Sequence, residues 1–279
     1  MTDPRAIGVF DSGVGGLTVL SALLQQLPDE PLVYLGDTAR VPYGTRSADV
    51  VVRYALNNAR TLLSHVELKL LVVACNTASA VALPALREAL PIPVVGVIEP
   101  GARAALAASR GGAIAVLGTA GTVRSMAYPI ALQKLGCGGG VVTRACPLLV
   151  PLVEEGWTEG EVTDRVLDRY LEDLPADVDT AVLGCTHYPL LRPALEQAFL
   201  RRDKGEVAVV DGACATALEV RALLEERAER APVGGAPAPA PRFFVTDAPE
   251  QMAALAPRFL GAAVDPGSIE LVDVILEAR

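Results

Sequence analysis

Apolar and polar positions along the chain follow two different periods. Nine short runs rich in β-branched and aliphatic residues have the length and composition of buried strands: residues 7–10, 32–35, 70–74, 94–97, 114–117, 141–143, 181–183, 207–210 and 243–245. Four segments between them carry apolar residues at spacings of three and four, which is typical of helices: residues 17–27, 48–66, 159–173 and 213–230. Strands that alternate with helices predict an α/β fold built on parallel sheets.

One strand-and-turn element occurs twice. The run Leu-Val-Val-Ala that ends at Cys75 matches the run Ala-Val-Leu-Gly that ends at Cys185, and each is followed by a Pro-Ala-Leu segment of helical character. The two cysteines are 110 positions apart, and the Asp11-Ser-Gly turn matches a Gly118-Thr-Ala turn 107 positions later. An internal repeat of this kind indicates duplication. We therefore expect two similar, doubly wound parallel-sheet domains related by pseudo-two-fold symmetry.

The repeat also predicts where the domains divide and where they meet. We expect a first domain made of residues 1–97 plus 205–279 and a second made of residues 98–204. Each repeated cysteine directly follows a strand, and ligands of such sheets bind at the carboxyl ends of the strands. The two thiols should face each other across one cleft. The segment 231–241, rich in Pro, Ala and Gly, is predicted to be a surface loop and is assigned no function.

Composition excludes several classes of partner. The net charge of −9 and the aromatic content of 4% oppose binding to a nucleic-acid backbone or its bases. The longest uncharged run, between Lys69 and Arg87, contains polar residues and is too short to cross a bilayer, and the N-terminus has no signal-peptide pattern. We therefore expect that nucleic acid is not the main partner, that the protein does not associate with a membrane and that it is cytoplasmic.

The five cysteines differ in their expected roles. They include no CxxC pair, and the chain has only two histidines, so we expect free thiols and no metal site. Cys137, Cys146 and Cys214 are expected to be small buried hydrophobic residues. Cys75 and Cys185 each stand at a predicted helix start, where backbone N–H groups lower the pKa of a thiol, and each is followed by polar residues.

Two opposed thiols suit one class of reaction. Inverting a stereocentre by proton transfer needs a base on one face of the carbon and an acid on the other. Asp11 and His187 are the nearest candidate partners for the two sulfur atoms. Two other interpretations stay open, namely that Asp11 is a turn or N-cap residue and that His187 is a packed core histidine. His65, late in a predicted helix, is expected at the surface.

Cofactor motifs are absent from the sequence. The turn at residues 11–16 does not fit GxGxxG and there is no Walker A lysine, although backbone N–H groups there could hold a small anion such as an α-carboxylate. Pyridoxal phosphate would need a Schiff-base lysine. None of Lys69, Lys134 and Lys204 has a suitable position, and Lys69 is expected to precede a strand at the end remote from the cleft. We therefore expect no cofactor.

Six motifs together resemble those of the glutamate racemase family, in the aspartate/glutamate racemase superfamily. In order they are residues 11–18 (Asp-Ser-Gly-Val-Gly-Gly-Leu-Thr), 36–44 (Gly-Asp-Thr-Ala-Arg-Val-Pro-Tyr-Gly), 74–79 (Ala-Cys-Asn-Thr-Ala-Ser), 117–122 (Leu-Gly-Thr-Ala-Gly-Thr), 150–156 (Val-Pro-Leu-Val-Glu-Glu-Gly) and 183–189 (Leu-Gly-Cys-Thr-His-Tyr-Pro). The likeness extends from about residue 7 to residue 272. It implies a cofactor-independent isomerase, usually a homodimer, that converts L-glutamate to D-glutamate for bacterial peptidoglycan.

The resemblance also implies roles for individual residues. Cys75 and Cys185 would be the catalytic acid/base pair, assisted by Asp11, Glu154 and His187. The residues that would hold the substrate are Asp11, Ser12, Tyr43, Gly44, Asn76, Thr77, Thr186 and His187. One position departs from the family pattern, because Gly212 stands where a serine is expected.

Two alternatives differ from this interpretation. A racemase of aspartate or another amino acid would share the paired cysteines, but in those relatives a glutamate follows the Cys-Thr pair where His187 stands here. The second alternative is a non-catalytic binding or regulatory protein built on the same fold. The paired thiols argue against the second.

Overall fold

Two parallel sheets with interleaved helices form the fold. A computed structural model describes residues 2–202, 206–232 and 239–274. The strands found there are β1 (Ala6–Asp11), β2 (Leu32–Gly36), β3 (Leu68–Val73), β4 (Val94–Gly96), β5 (Ala113–Gly118), β6 (Val141–Ala145), β7 (Val178–Gly184), β8 (Ala208–Asp211), β9 (Arg242–Val245) and β10 (Ile269–Leu271). The α-helices are α1 (Leu17–Gln26), α2 (Ala48–His65), α3 (Asn76–Ala89), α4 (Ile98–Ala108), α5 (Ala120–Ser125), α6 (Ala127–Lys134), α7 (Leu149–Glu154), α8 (Glu161–Leu171), α9 (Arg192–Arg201), α10 (Gly212–Glu226) and α11 (Pro249–Leu260).

The order of the strands repeats between the sheets. The first sheet runs β10-β9-β2-β1-β3-β4 and the second runs β6-β5-β7-β8, and every pairing is parallel. The four strands β1 to β4 therefore have the same neighbours as β5 to β8. This arrangement confirms the predicted α/β fold with two similar parallel sheets.

A shared irregularity extends the repeat to single residues. In the first sheet Ala6 pairs with Leu68 but Ile7 pairs with Leu70, so the register skips Lys69. In the second sheet the register between β5 and β7 skips Asp179 in the same way. Because these two positions are 110 residues apart, as Cys75 and Cys185 are, the register shift belongs to the repeated element.

Apolar side chains cover both faces of the first sheet. Ile7 and Val9 of β1 face one buried cluster, with residues of α1, whereas Phe10 faces another, with residues of α2 and α3. Parallel sheets need helices on both faces for this reason. The loops at the carboxyl ends of the strands are then left to form a site.

Two local findings differ from the sequence-based expectations. Strand β10 is not among the predicted strands, since only Ile269 of its three residues is buried. Strand β8 pairs with β7 in the second sheet, although the predicted division at residue 204 assigns it to the first domain. The division into two domains stays a prediction, with its second boundary moved beyond β8. Within the predicted loop 231–241, residues 233–238 lie outside the described part of the chain.

Lys69 lies inside β3 and is fully buried, which corrects the expectation that it precedes the strand. Its Nζ lies 2.6 Å from Glu30 Oε2, and it donates hydrogen bonds of 2.8 Å to the main-chain oxygens of Asp3 and Glu229. A buried ammonium group needs such partners because its desolvation is costly. Lys69 therefore holds together chain segments at the amino ends of the strands, away from the cavity described below.

Within the described ranges, no helix combines the length and the apolar character that a bilayer crossing requires. All five cysteines are free thiols. Cys146 is buried as predicted, but Cys137 is only half-buried and Cys214 is exposed on α10, which corrects that part of the expectation.

Candidate active site

A cavity of about 300 Å³ lies between the carboxyl ends of the two sheets. Cys75, two residues beyond the end of β3, and Cys185, directly after β7, both line it. The predicted site residues that also line it are Ser12, Tyr43, Gly44, Asn76, Thr77, Glu154, Thr186 and His187. Asp11 is not among the lining residues and is completely buried. The structure therefore brings together both thiols and most of the predicted site.

The glycine-rich turn after β1 lets the two halves approach closely. A Cβ atom on Gly15 would lie 2.3 Å from Thr186 Oγ1 and 2.4 Å from His187 Nδ1. Thr18 adds a hydrogen bond of 3.2 Å from its Oγ1 to the main-chain oxygen of Thr186. Glycine is required at position 15 because any side chain would displace the residues around Cys185.

The first thiol lies among groups from its own half. Cys75 caps α3, with Ala78 N donating to its Sγ at 3.5 Å, and the thiol donates to Ser12 Oγ at 3.5 Å. Burial, and next the nearby Asp11 carboxylate, raise the pKa of Cys75 to about 12. The pKa of Asp11 is itself raised by burial. Cys75 therefore holds its proton at neutral pH.

The second thiol lies beside an imidazole. His187 Nδ1 is 3.9 Å from Cys185 Sγ, and its Nε2 is 2.9 Å from Glu154 Oε1 at the end of α7. Burial alone would lower the pKa of His187, but hydrogen bonds to Cys185 and Glu154 raise it to about 10. A charged imidazole at this distance stabilises negative charge on the Cys185 sulfur. The two ring nitrogens thus connect a thiol and a carboxylate.

The backbone around the two thiols also differs. Cys75 begins a regular α-helix, whereas Cys185 is followed by a 3-10 segment, Tyr188–Leu191, before α9 begins. Pro189 lies in the 3-10 segment and Pro193 is the second residue of α9, positions of the first turn at which the missing N–H of proline is tolerated. The prediction of a helix start after each cysteine is thus correct for Cys75 and only approximate for Cys185.

A buried polar network holds the segment that covers one side of the cavity. The carboxylate of Asp37 is completely buried and accepts hydrogen bonds from Tyr43 Oη, from Arg40 Nε at 2.9 Å and from Thr246 Oγ1 at 3.0 Å. Asn58 Nδ2 donates to Tyr43 Oη at 2.9 Å. The hydroxyl of Tyr43 is therefore committed to this network, which fixes the position of the cavity wall around Gly44.

Sequence reasoning missed several lining residues, of which Thr119 has the clearest chemistry. Its Oγ1 lies 2.9 Å from Thr77 Oγ1, and it follows β5 as Ser12 follows β1. The repeat offset of 107 positions relates Thr119 to Ser12, so this signal is present in the sequence. The remaining unpredicted lining residues are Gly13, Val41, Pro42, Thr45, Ala120, Pro147, Val150 and Pro151.

The cavity suits a small zwitterion or anion. Its polar lining consists mainly of hydroxyls, an amide and backbone groups, and within the described part of the chain no lysine or arginine lines it. No group of three or more His, Cys, Asp or Glu residues in the described ranges could hold a metal ion. Two thiols, those of Cys75 and Cys185, thus face one small cavity.

Comparison with known proteins identifies the class. The sequence pattern described as Asp/Glu/Hydantoin racemase matches residues 7–220, and the chain belongs to this family of enzymes. A protein named glutamate racemase from Geobacter metallireducens is 50% identical over 276 residues, which is 99% of this chain and 98% of the relative.

Solved structures of glutamate racemases are also similar to this chain. A glutamate racemase from Bacillus anthracis superimposes with a TM-score of 0.88 at 40% identity, covering 98% of this chain and 99% of that one. A glutamate racemase from Francisella tularensis, solved in complex with D-glutamate, gives a TM-score of 0.87 at 33% identity and covers 97% of this chain and 98% of that one.

Proposed function

We propose that this protein interconverts L-glutamate and D-glutamate without a cofactor, using Cys75 and Cys185 as the two acid/base groups. The observation that carries the proposal is the placement of two thiols on one cavity, at equivalent positions of two repeated sheets. The similarity to relatives named glutamate racemase, at 50% identity in one case, supports the choice of substrate.

The reaction needs one thiol on each face of the α-carbon. One sulfur, as thiolate, takes the α-proton, so the Cα–H bond breaks and an S–H bond forms. The other thiol then donates its proton to the opposite face of the resulting carbanion, which leaves that sulfur as the thiolate. Conversion of the opposite enantiomer uses the same groups with their roles exchanged.

The residues beside each thiol favour these proton transfers. Cys75 is protonated at neutral pH, which suits it to act as the acid, and the ammonium group of a bound amino acid would help it to act as the base. His187 is a cation at neutral pH and stabilises charge on the sulfur of Cys185. Asp11 then acts on Cys75 through the charge of its nearby carboxylate. Glu154 acts on Cys185 through its hydrogen bond with His187.

Neutral donors would hold the two carboxylates of the substrate. Ser12, Asn76, Thr77, Thr119 and Thr186 place hydroxyl, amide and backbone groups on the cavity. Aspartate and glutamate differ by one methylene, which is worth only about 1–3 kcal/mol in a pocket. Preference for glutamate therefore depends on where the side-chain carboxylate meets these donors, because a misplaced carboxylate leaves buried donors unpaired.

The biological setting follows from the same resemblance. We propose a cytoplasmic homodimer that supplies D-glutamate for peptidoglycan.

The lysine positions agree with a cofactor-free reaction, since Lys69 is engaged with Glu30 and Lys134 lies on α6; Lys204 lies outside the described residues.

A chiral assay tests the proposal. Dialysed protein is incubated with L-glutamate alone, and the optical signal is followed until it reaches that of the racemic mixture. We expect complete racemisation without pyridoxal phosphate or metal, and a higher kcat/KM for L-glutamate than for L-aspartate. Absence of racemisation would overturn the proposed function. An equal or higher value for aspartate would overturn the substrate assignment and leave the paired thiols in place.

A further inference from the structure

Helix α11 reaches from one half of the molecule to the catalytic groups of the other. It lies between β9 and β10, both strands of the first sheet, and it packs against α1. Ser21 Oγ on α1 donates a hydrogen bond of 3.2 Å to the main-chain oxygen of Leu260 at the end of α11. The helix is thus attached to the first half, whereas His187 and Glu154 follow strands of the second.

Phe259 of α11 packs against the ring of His187. The two ring centroids are 5.0 Å apart with an interplanar angle of 76°, an edge-to-face arrangement, and Phe259 is buried. Edge-to-face contacts between rings depend on orientation as well as on distance. Phe259 therefore restricts the plane of the imidazole, and with it the direction in which Nδ1 points toward Cys185.

Arg258 of α11 holds the residue on the other side of that imidazole. Its Nη1 donates a hydrogen bond to the main-chain oxygen of Glu154, the last residue of α7. Gly156 leaves room for the guanidinium group, since a Cβ atom there would lie 3.0 Å from Arg258 Nη2. Gly156 also has a φ of 79°, a conformation that favours glycine.

We propose that Phe259 and Arg258 are positioning residues for racemisation, because together they orient the His187–Glu154 pair toward Cys185. Neither side chain lines the cavity, so both act through their neighbours. The inference rests on the proposed function only for its kinetic readout. It implies that the acid/base machinery around Cys185 is complete only when the two halves are in contact.

Isotope effects provide a readout that a merely structural role would not move. We expect Phe259→Leu to slow racemisation by about 2- to 10-fold, in line with the loss of one aromatic pair. In this variant only the proton transfer at Cys185 should be slower, because Phe259 contacts the imidazole beside that thiol. The isotope effect of α-deuterated substrate should therefore rise for the enantiomer from which Cys185 removes the proton and fall for the other enantiomer.

Matched variants separate positioning from folding. Phe259→Tyr keeps the ring and should restore the wild-type pattern, whereas Arg258→Met removes the donor to Glu154 and should reproduce the pattern of Phe259→Leu. Met252→Leu changes a buried residue of the same helix and should leave both isotope effects unchanged. Isotope effects that stay at their wild-type values for both enantiomers in Phe259→Leu and Arg258→Met would overturn the proposal.

A second readout does not depend on activity. The chain has two histidines, so ¹⁵N-histidine labelling gives one pair of ring signals, Nδ1 and Nε2, from His187 and one pair from the exposed His65. The groups that face His187 are Cys185, Thr186 and Glu154, with Asp11 close enough to interact electrostatically. Phe259→Leu should change the His187 signal and leave that of His65 unchanged.

The outcomes of this readout are distinct. An unchanged His187 signal would overturn the positioning role. A changed His187 signal with unaltered isotope effects would show that the contact with Phe259 does not affect racemisation, and would overturn the proposal. Failure of the wild-type protein to racemise glutamate would instead overturn the proposed function, while the histidine signals would still test the contact with Phe259.

Discussion

The two sides of the cavity share one framework but place different polar groups beside the thiol. Cys75 and Cys185 follow equivalent strands, and a hydroxyl follows the neighbouring strand on each side, Ser12 in the first half and Thr119 in the second. Between them, the two halves thus provide a thiol and a hydroxyl on each side of one volume.

The polar groups beside the two thiols break this symmetry. The repeat offsets relate Asp11 in the first half to Gly118 in the second, and Thr77 in the first half to His187 in the second. Each half has therefore a partner that the other lacks, a buried carboxyl near Cys75 and an imidazole beside Cys185. The difference shows that a repeated fold can place two cysteine sulfur atoms in different electrostatic surroundings.

The largest expected effect comes from the thiols themselves. Cys75→Ala and Cys185→Ala should each reduce the racemisation rate by about 10²- to 10⁴-fold, the range for a positioned acid or base. Cys214→Ala, at an exposed cysteine, is the matched control and should be fully active. Activity within a few-fold of wild type in either of the first two variants would contradict the two-thiol account.

A smaller effect is expected from the unlike partners. Asp11→Asn and His187→Gln should each lower kcat by about 10²-fold, at the lower end of the range for such groups. Their isotope effects with α-deuterated L- and D-glutamate should change in opposite directions, because each variant slows proton transfer at a different sulfur. The same pattern in both variants would show that the two sides are not functionally distinct.

The dependence of kcat/KM on pH tests the role of the imidazole beside Cys185. His187 should lose its proton near its pKa of about 10, and Glu154→Gln should lower that pKa because a carboxylate partner is lost. The alkaline limb of the kcat/KM profile should then move to lower pH. At a fixed pH on that limb, kcat/KM should fall about tenfold for each pH unit by which the limb moves. An unchanged limb would mean that the imidazole does not govern it.

The same raised pKa predicts a stability change. His187 has a higher pKa in the folded protein than the ordinary 6.5, so its contribution to stability is fully present below pH 6.5 and is lost as the pH rises through about 10. Unfolding by denaturant at pH 6, 8 and 10.5 should show this loss in the wild type. In His187→Gln the decline over this interval should be smaller, and an equal decline would contradict the assignment.

The hydroxyls that the two sides share should give the smallest effects. Ser12→Ala and Thr119→Val should each raise KM for glutamate by about fivefold, which corresponds to a net hydrogen bond of about 1 kcal/mol. Both should leave kcat nearly unchanged, since neither hydroxyl exchanges a proton with the α-carbon. A fall in kcat without a change in KM would assign these hydroxyls a role in the proton transfers instead.

Local patterns in the sequence are sufficient for the framework. Strand-length apolar runs, and the match between the segments around Cys75 and Cys185, predict two parallel sheets with both thiols at their carboxyl ends. Helix α7, which carries Glu154, has no such local signal. The family resemblance identifies Glu154 as a site residue, and its contact with His187 joins residues 33 positions apart.

Contacts between distant segments cannot be predicted from periodicity. Phe259 packs on His187 although it belongs to a helix between strands of the other sheet, and the hydroxyl of Tyr43 is bound by Asp37 and Asn58. The sequence predicts Lys69 before its strand because a charged residue is seldom buried, but its partner Glu30 comes from a separate loop. Such positions are decided by tertiary packing.

The central claim is that different thiols remove and return the α-proton, and isotope labelling tests it most directly. L-glutamate is converted in heavy water, and both enantiomers are separated and analysed by mass at less than a tenth of full conversion. The account predicts deuterium at the α-carbon of nearly all the D-glutamate formed and of almost none of the recovered L-glutamate. Comparable early labelling of both enantiomers would contradict it, because a single exchanging base would then serve both faces.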